Sequence, residues 1–179
     1  MHTTTFRTAT VEDIDALVAL VTSAYRGDTS RVGWTTEADF LDGARIDPEV
    51  LRQDLLRDRS LVLLVEQDGQ LRACAHIADD HGAGYFGMFA VDPTAQGSGL
   101  GKLLLAEAER IVHGVWGLPV MRMTVIDIRH ELVAFYERRG YRRTGILKPF
   151  PYGDARFGIP LRDDLRFEVL EKPLWGEPA

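Results

Sequence analysis

The chain has 179 residues, 45% apolar and 27% charged, and its 21 Lys and Arg against 27 Asp and Glu give a formal charge of −6. Those values are average for a globular protein, and the length predicts one domain spanning 1–179. They argue against disorder, and the sign of the field argues against nucleic acid as the main partner. No apolar run approaches the ~20 residues of a bilayer helix, and the N-terminal residues resemble no secretory segment, so no membrane association and a cytoplasmic location are expected.

In chain order, Thr3 to Thr8 predicts a strand. Thr10 and Asp13 have the spacing of a capping box, ahead of Ile14, Leu17, Val18, Val21 and Tyr25 on one helical face that ends at Gly27. Trp34, Thr35, Thr36 and Glu37 read as the opening of a short helix that stops at Gly43. Asp47 followed by Pro48 is a cap and first-turn proline, predicting a helix with Val50, Leu51, Leu55 and Leu56. Leu61 to Val65 and the alternation of Leu71, Ala73, Ala75 and Ile77 with Arg72, Cys74 and His76 predict a hairpin about Asp68-Gly69. Cys74, the single cysteine, reads as core.

Tyr85 to Val91 predicts another strand, closed by Asp92-Pro93. A glycine-rich turn then leads into a helix with Leu100, Leu103, Leu104, Ala108, Ile111, Val112 and Val115 on one stripe, ended by Gly117 and Pro119. Val120 to Ile126 is a strand, Glu131 to Arg139 a short helix, Tyr141 to Leu147 a strand and Phe167 to Leu170 the last strand. Antiparallel strands followed by a strand-helix-strand unit predict an α/β (α+β) fold, with a mixed, mostly antiparallel central sheet flanked by helices.

The turn from Gln96 to Lys102 carries the functional signal. One glycine satisfies a tight turn, whereas Gly97, Gly99 and Gly101 would each cost about 0.5–1 kcal/mol without a further reason. A helix start presents unpaired N–H groups and a positive dipole end, and glycines remove the side chains that would hold an anion off. The motif is not a nucleotide loop of the Walker type, because Gln96 and Leu103 stand where Gly and Ser or Thr would be needed. Nor is it Gly-x-Gly-x-x-Gly, since Lys102 stands three residues after Gly99.

Gln96-x-x-Gly99-x-Gly101 after Val91-Asp92-Pro93, followed by Ala134-Phe135-Tyr136-Glu137-Arg138-Arg139-Gly140-Tyr141, resembles the GNAT superfamily of N-acetyltransferases over residues 60 to 147. That resemblance implies acetyl-CoA as acyl donor, with main-chain groups of Phe89, Ala90 and Val91 pairing with the pantetheine arm. It implies that Gln96, Gly97, Ser98, Gly99, Leu100, Gly101 and Lys102 cradle the pyrophosphate. Tyr136 matches the tyrosine that protonates the departing thiolate. Arg129 stands where many members have a cofactor-touching asparagine; it reads either as a contact to a CoA phosphate or an acceptor carboxylate, or as a surface ion pair with Asp127 or Glu131.

Thr124 stands where some members carry a glutamate base, and Glu37, His76, Asp127 and Glu131 are the other candidates, none of them assigned. The histidines lack metal-ligand spacing, so no metal is expected. Two irregular segments, Tyr25 to Gly43 with Trp34 and Glu37, and Lys148 to Pro160 with Phe150, Tyr152, Asp154, Arg156 and Phe157, are expected to frame the acceptor. Their rings and acids lean toward a small cationic amine. The expected function is acetyl transfer to a primary amine of a small molecule or peptide; a non-catalytic acyl-CoA-binding module is the alternative, and a homodimer is compatible with either.

Overall fold

The computed structural model describes residues 1–43 and 45–175; the side chain of Phe157 lies outside what it describes. In chain order the elements are β1 (Thr4–Thr8), α1 (Ile14–Tyr25), α2 (Gly27–Ser30), β2 (Leu41–Asp42), α3 (Pro48–Leu56), β3 (Ser60–Gln67), β4 (Gln70–Asp80) and β5 (Ala83–Val91). There follow α4 (Leu100–Arg110), β6 (Val120–Ile126), α5 (His130–Glu137), β7 (Arg142–Pro149), β8 (Ile159–Pro160) and β9 (Arg166–Pro173). Seven strands form one mixed sheet in the order β1-β3-β4-β5-β6-β9-β7, and β2 pairs with β8 apart from it.

Local chemistry explains most boundaries. Asp47 Oδ1 accepts from the amides of Glu49 and Val50 and starts α3 at Pro48. The Asp13 carboxylate accepts from the Thr10 amide, and one 3-10 turn over Val11–Asp13 leads into α1. Asp68 and Gly69, at φ +51° and +77°, supply the left-handed pair of a tight hairpin.

Strand alternation sorts the core into two layers. Ala73, Ala75 and Ile77 of β4 join α4 and α5 residues on one face, while Cys74, Val62, Leu64 and Ala90 pack against Leu17, Val21 and Leu51 of α1 and α3 on the other. Cys74 is thus core, as its setting in the strand predicted.

The sheet is antiparallel except between β5 and β6, which share only Gly84 with Met121 and Tyr85 with Arg122 before parting. Two features make that wedge. At its closed end a Cβ on Gly84 would sit 2.4 Å from Val112 Cγ1, so only glycine lets the helix lie so close. Beyond it β5 is bulged: Met88 has φ +47°, and the register with β4 slips between Cys74 and His76. The C-terminal half of β5 therefore turns from β6 and leaves that edge without a strand partner among the described residues.

Two expectations are corrected. Residues 34–43 do not form a helix: Phe40 and Leu41 amides bond the Glu37 carbonyl for a single turn, and the chain then enters β2, because burying Glu37 and pairing with β8 outweigh the local preference. The α4 stripe also shifts. Leu103 and Val115 are exposed while Leu105 is buried, and the helix widens into a π turn over Ile111–Val115. No helix among the described residues is long and apolar enough to cross a membrane.

Candidate functional site

Two cavities lie side by side on the wedge. The first, about 170 Å³, sits between the parted strands and is walled by Gly87, Met88, Thr124, Tyr136 and the arginine cluster described below. The second lies over the turn before α4 and is lined by Trp34, Gln96, Gly99, Lys102, Arg138 and Arg139 among others. Phe89 borders both, and consecutive residues of α5 divide them: Phe135 faces the second, Tyr136 the first.

The glycines of the turn act for different reasons. Gly97 and Gly99 have φ +84° and +87° with open space where a Cβ would stand, and Gly99 is the left-handed cap of α4. Gly101 is needed for packing, since its Cβ would lie 2.9 Å from Phe89 Cζ. The amides of Gly97, Gly99, Leu100, Gly101 and Lys102 donate to no described residue. With the helix dipole they make an anion-seeking concavity. Arg138 and Arg139 add charge that the sequence reading missed; the signal was two adjacent arginines ending α5. Arg139 lies over the Phe135 ring at 3.7 Å and donates to the Phe135 carbonyl.

The other expected contacts separate. Phe89 and Val91 face the cavities, but Ala90 points into the opposite core, so it offers only its backbone. Ser98 turns outward and its hydroxyl returns to the Ala95 carbonyl. Gln96 spends its side chain on positioning: Nε2 donates to Thr35 Oγ1 and the Val91 carbonyl, and Oε1 accepts from the Trp34 amide. Arg129 spans from α5 to the same loop, donating to Glu37 Oε1 at 2.8 Å and to the Thr35 carbonyl at 2.6 Å. Its ion pair is therefore buried, and with Glu37 rather than Asp127 or Glu131.

Tyr136 is buried, held in edge and tilted contacts with Phe86, Phe89, Phe135 and Tyr141. Each such pair contributes about 0.5–1.5 kcal/mol, which fixes the ring. Its hydroxyl has no hydrogen-bond partner among the described residues. Burial pushes the phenol well above its ordinary pKa, so it stands protonated beside the cleft.

Glu37 is the charge centre of the first cavity. Arg26 Nη1 donates to Oε2, Arg129 holds Oε1, and Arg45 Nε lies 3.7 Å from Oε2. Burial works to raise this carboxyl, yet Arg129, Arg45 and Arg26 together hold it below its ordinary value. A carboxylate so neutralised is a poor proton acceptor, which removes Glu37 as the base. His76 bonds Ser60 Oγ at 2.8 Å, borders a separate cavity with Asp54, and burial lowers its pKa. Asp127 is paired with Arg166, and Glu131 is exposed at a different surface cavity. Thr124 does line the cleft.

Of the second irregular segment, Phe150 reaches the cleft. Tyr152 bonds the Arg162 carbonyl and Leu165 amide, and Asp154 and Arg156 pair with each other, all away from it. The expected frame of rings and acids is not all that lines the cleft: among the described residues, three arginines and one acid give it a positive balance. Among the described residues, no three His, Cys, Asp or Glu side chains gather as a metal would require.

A family model described as the Acetyltransferase (GNAT) family matches residues 17–141. No curated protein matches the chain in sequence. Among solved structures, the ribosomal-protein-S18-alanine N-acetyltransferase of Escherichia coli is 16% identical, with a TM-score of 0.71 over 99% of this chain and 97% of that one. The ribosomal-protein-alanine N-acetyltransferase of Brucella melitensis is 21% identical, with a TM-score of 0.70 over 94% and 99%. The PaiA N-acetyltransferase of Thermoplasma acidophilum, solved with coenzyme A, is 17% identical, with a TM-score of 0.67 over 96% and 99%. These likenesses establish a shared fold.

Proposed function

The chain belongs to the GNAT family of acetyltransferases, and from that premise we propose that it is an acetyl-CoA-dependent N-acyltransferase, passing the acetyl group directly to a primary amine of a small molecule or peptide. The observation that carries this reading is the junction at α5, where an anion-seeking cavity and a cleft holding a protonated phenol share a wall.

A diphosphate suits the second cavity. Five open amides meet Lys102, Arg138 and Arg139 there, and no acid among the described residues lines it. Gln96 through Lys102 hold that group in the proposal, chiefly by main chain, with Gln96 and Arg129 positioning the 34–37 loop beside it. The unpaired edge of β5 at Phe89, Ala90 and Val91 takes an extended arm as an added strand would pair, although Gln96 already occupies the Val91 carbonyl.

When bound, the donor supplies a thioester carbonyl open to attack by an amine. As the N–C bond forms and the C–S bond breaks, Tyr136 gives its phenolic proton to the sulfur and the amine loses its own to water. Burial holds that phenol protonated at pH 7, so its proton is on hand as the sulfur departs. Its return to the protonated state is favoured by burial.

One observation favours the alternative, a non-catalytic acyl-CoA-binding module: among the residues lining the cleft there is no unpaired carboxylate or imidazole to act as base. Thiol release from acetyl-CoA with an amine panel separates the two. Tyr136→Phe keeps the ring packing, so it should bind acetyl-CoA within about twofold of the parent while turnover falls about 10²-fold or more. Undiminished turnover would take Tyr136 out of the reaction; release no faster than in protein-free solution would leave only binding.

A further inference from the structure

The charge of the first cavity points to what its acceptor carries. Among the described residues, Arg26, Arg45 and Arg129 line it with Glu37 as the single acid, a balance of +2 (three cations less one anion) in a chain whose overall charge is −6. Both Glu37 oxygens are engaged by these arginines, and Arg26 is not satisfied by its share. Its side chain is 3% exposed, Nη1 bonds Glu37, and Nε and Nη2 are buried with no partner among the described residues.

Those two nitrogens form one edge of the guanidinium, the fork that fits both oxygens of a carboxylate. Arg110, Arg156 and Arg162 each use that edge on Glu107, Asp154 and Asp164. In Arg26, a residue of the cleft wall, the same fork is buried and has no partner among the described residues. A buried cation with two idle donors is costly unless something completes it. Arg45 lies nearby on the Tyr25 ring at 4.9 Å, partly exposed, and adds a second cation at the cavity.

We propose that the acceptor is an amine carrying an oxyanion, of the amino-acid type, whose carboxylate is gripped by the Nε and Nη2 edge of Arg26 with Arg45 alongside. This rests on the acyltransferase reading and narrows it. A cavity of about 170 Å³ favours a free small molecule over an extended peptide. Glu37 is then a positioning residue: it anchors Arg26, Arg45 and Arg129 together, and leaves the fork free.

The test follows thiol release from acetyl-CoA with matched acceptors: free amino acids, their primary amides, the amines lacking the carboxyl group, aminophosphonates of similar size, and short peptides. Free amino acids or aminophosphonates should exceed their neutral counterparts at least about 30-fold in kcat/KM, and peptides of the same N-terminal residue should be poorer. Arg26→Met should raise KM for the anionic acceptor at least about tenfold, with Kd for acetyl-CoA by calorimetry within about twofold. Arg45→Gln, at a partly exposed position, should raise the same KM about threefold. Equal or better use of neutral or cationic amines would overturn the inference while acyl transfer stands. No release from any amine would sink the acyltransferase reading and this one with it.

Discussion

Gln96 and Thr35, 61 residues apart in sequence, meet through a 2.7 Å hydrogen bond from Nε2 to Oγ1. The same amide group bonds the Val91 carbonyl and the Trp34 amide, so one side chain joins the end of β5, the turn before α4 and the loop after α2. The loop passes so near that a Cβ on Gly33 would lie 2.3 Å from Gln96 Oε1.

Gln96→Ala should therefore release the 31–36 loop and cost about 2 kcal/mol, since three hydrogen bonds vanish and the Trp34 amide loses its acceptor. Limited proteolysis should cut first in this loop in the variant and not in the parent. An unchanged cleavage pattern would mean that the loop is held by other contacts.

Gly101 and Gly99 should fail differently. Gly101→Val drives a side chain into Phe89, whose ring is stacked on Phe135, and should lower stability by about 2–3 kcal/mol. Gly99→Ala meets no atom but keeps φ near +87°, costing about 1–2 kcal/mol. Phe89→Leu, added to each, should recover part of the first loss and none of the second in denaturant titrations. Equal rescue of both would contradict the packing argument.

Glu37→Gln leaves three arginines around a neutral group and should cost about 3–5 kcal/mol. The acid limb of stability should report the same group. Its pKa is lower folded than unfolded, so the native state binds fewer protons. Its contribution is whole above the usual carboxyl range near 4.3, and drains away as pH falls through that range to the folded value. The parent should lose more stability between pH 5 and 3 than Glu37→Gln does; parallel curves would show that Glu37 has no such shift.

Cys74 should be silent in thiol assays of the native protein. Burial against Leu64 and Ala90 pushes its thiol up to about 12, and at neutral pH almost no thiolate exists to react. Aromatic disulfide reagents should titrate it in denaturant and leave it untouched without; rapid native labelling would mean that the sheet opens there.

The sheet and the glycine turn were legible because their signals are local. Alternation in 71–77, the Asp68-Gly69 turn and the Asp47-Pro48 start are chemical facts within a few residues, and the structure keeps all three. The helix expected over 34–43 does not form because the conformation there follows from a partner far away: Glu37 lies where Arg129 can reach it, and β2 where β8 arrives. The charge of the cleft was illegible for the same reason, since Arg26, Arg45 and Arg129 are scattered in sequence and only the fold sums their charges.

By itself the order of residues determined the seven strands of the main sheet, the helices α1, α3, α4 and α5 and the glycine-lined helix start, each a consequence of period or of backbone freedom. Only the tertiary structure decided the charge of the acceptor cleft. It also decided which glycine serves packing and which serves φ, and what Gln96 and Arg129 do. Those depend on distances between groups remote in sequence, and Coulomb and contact energies are set by separation in space.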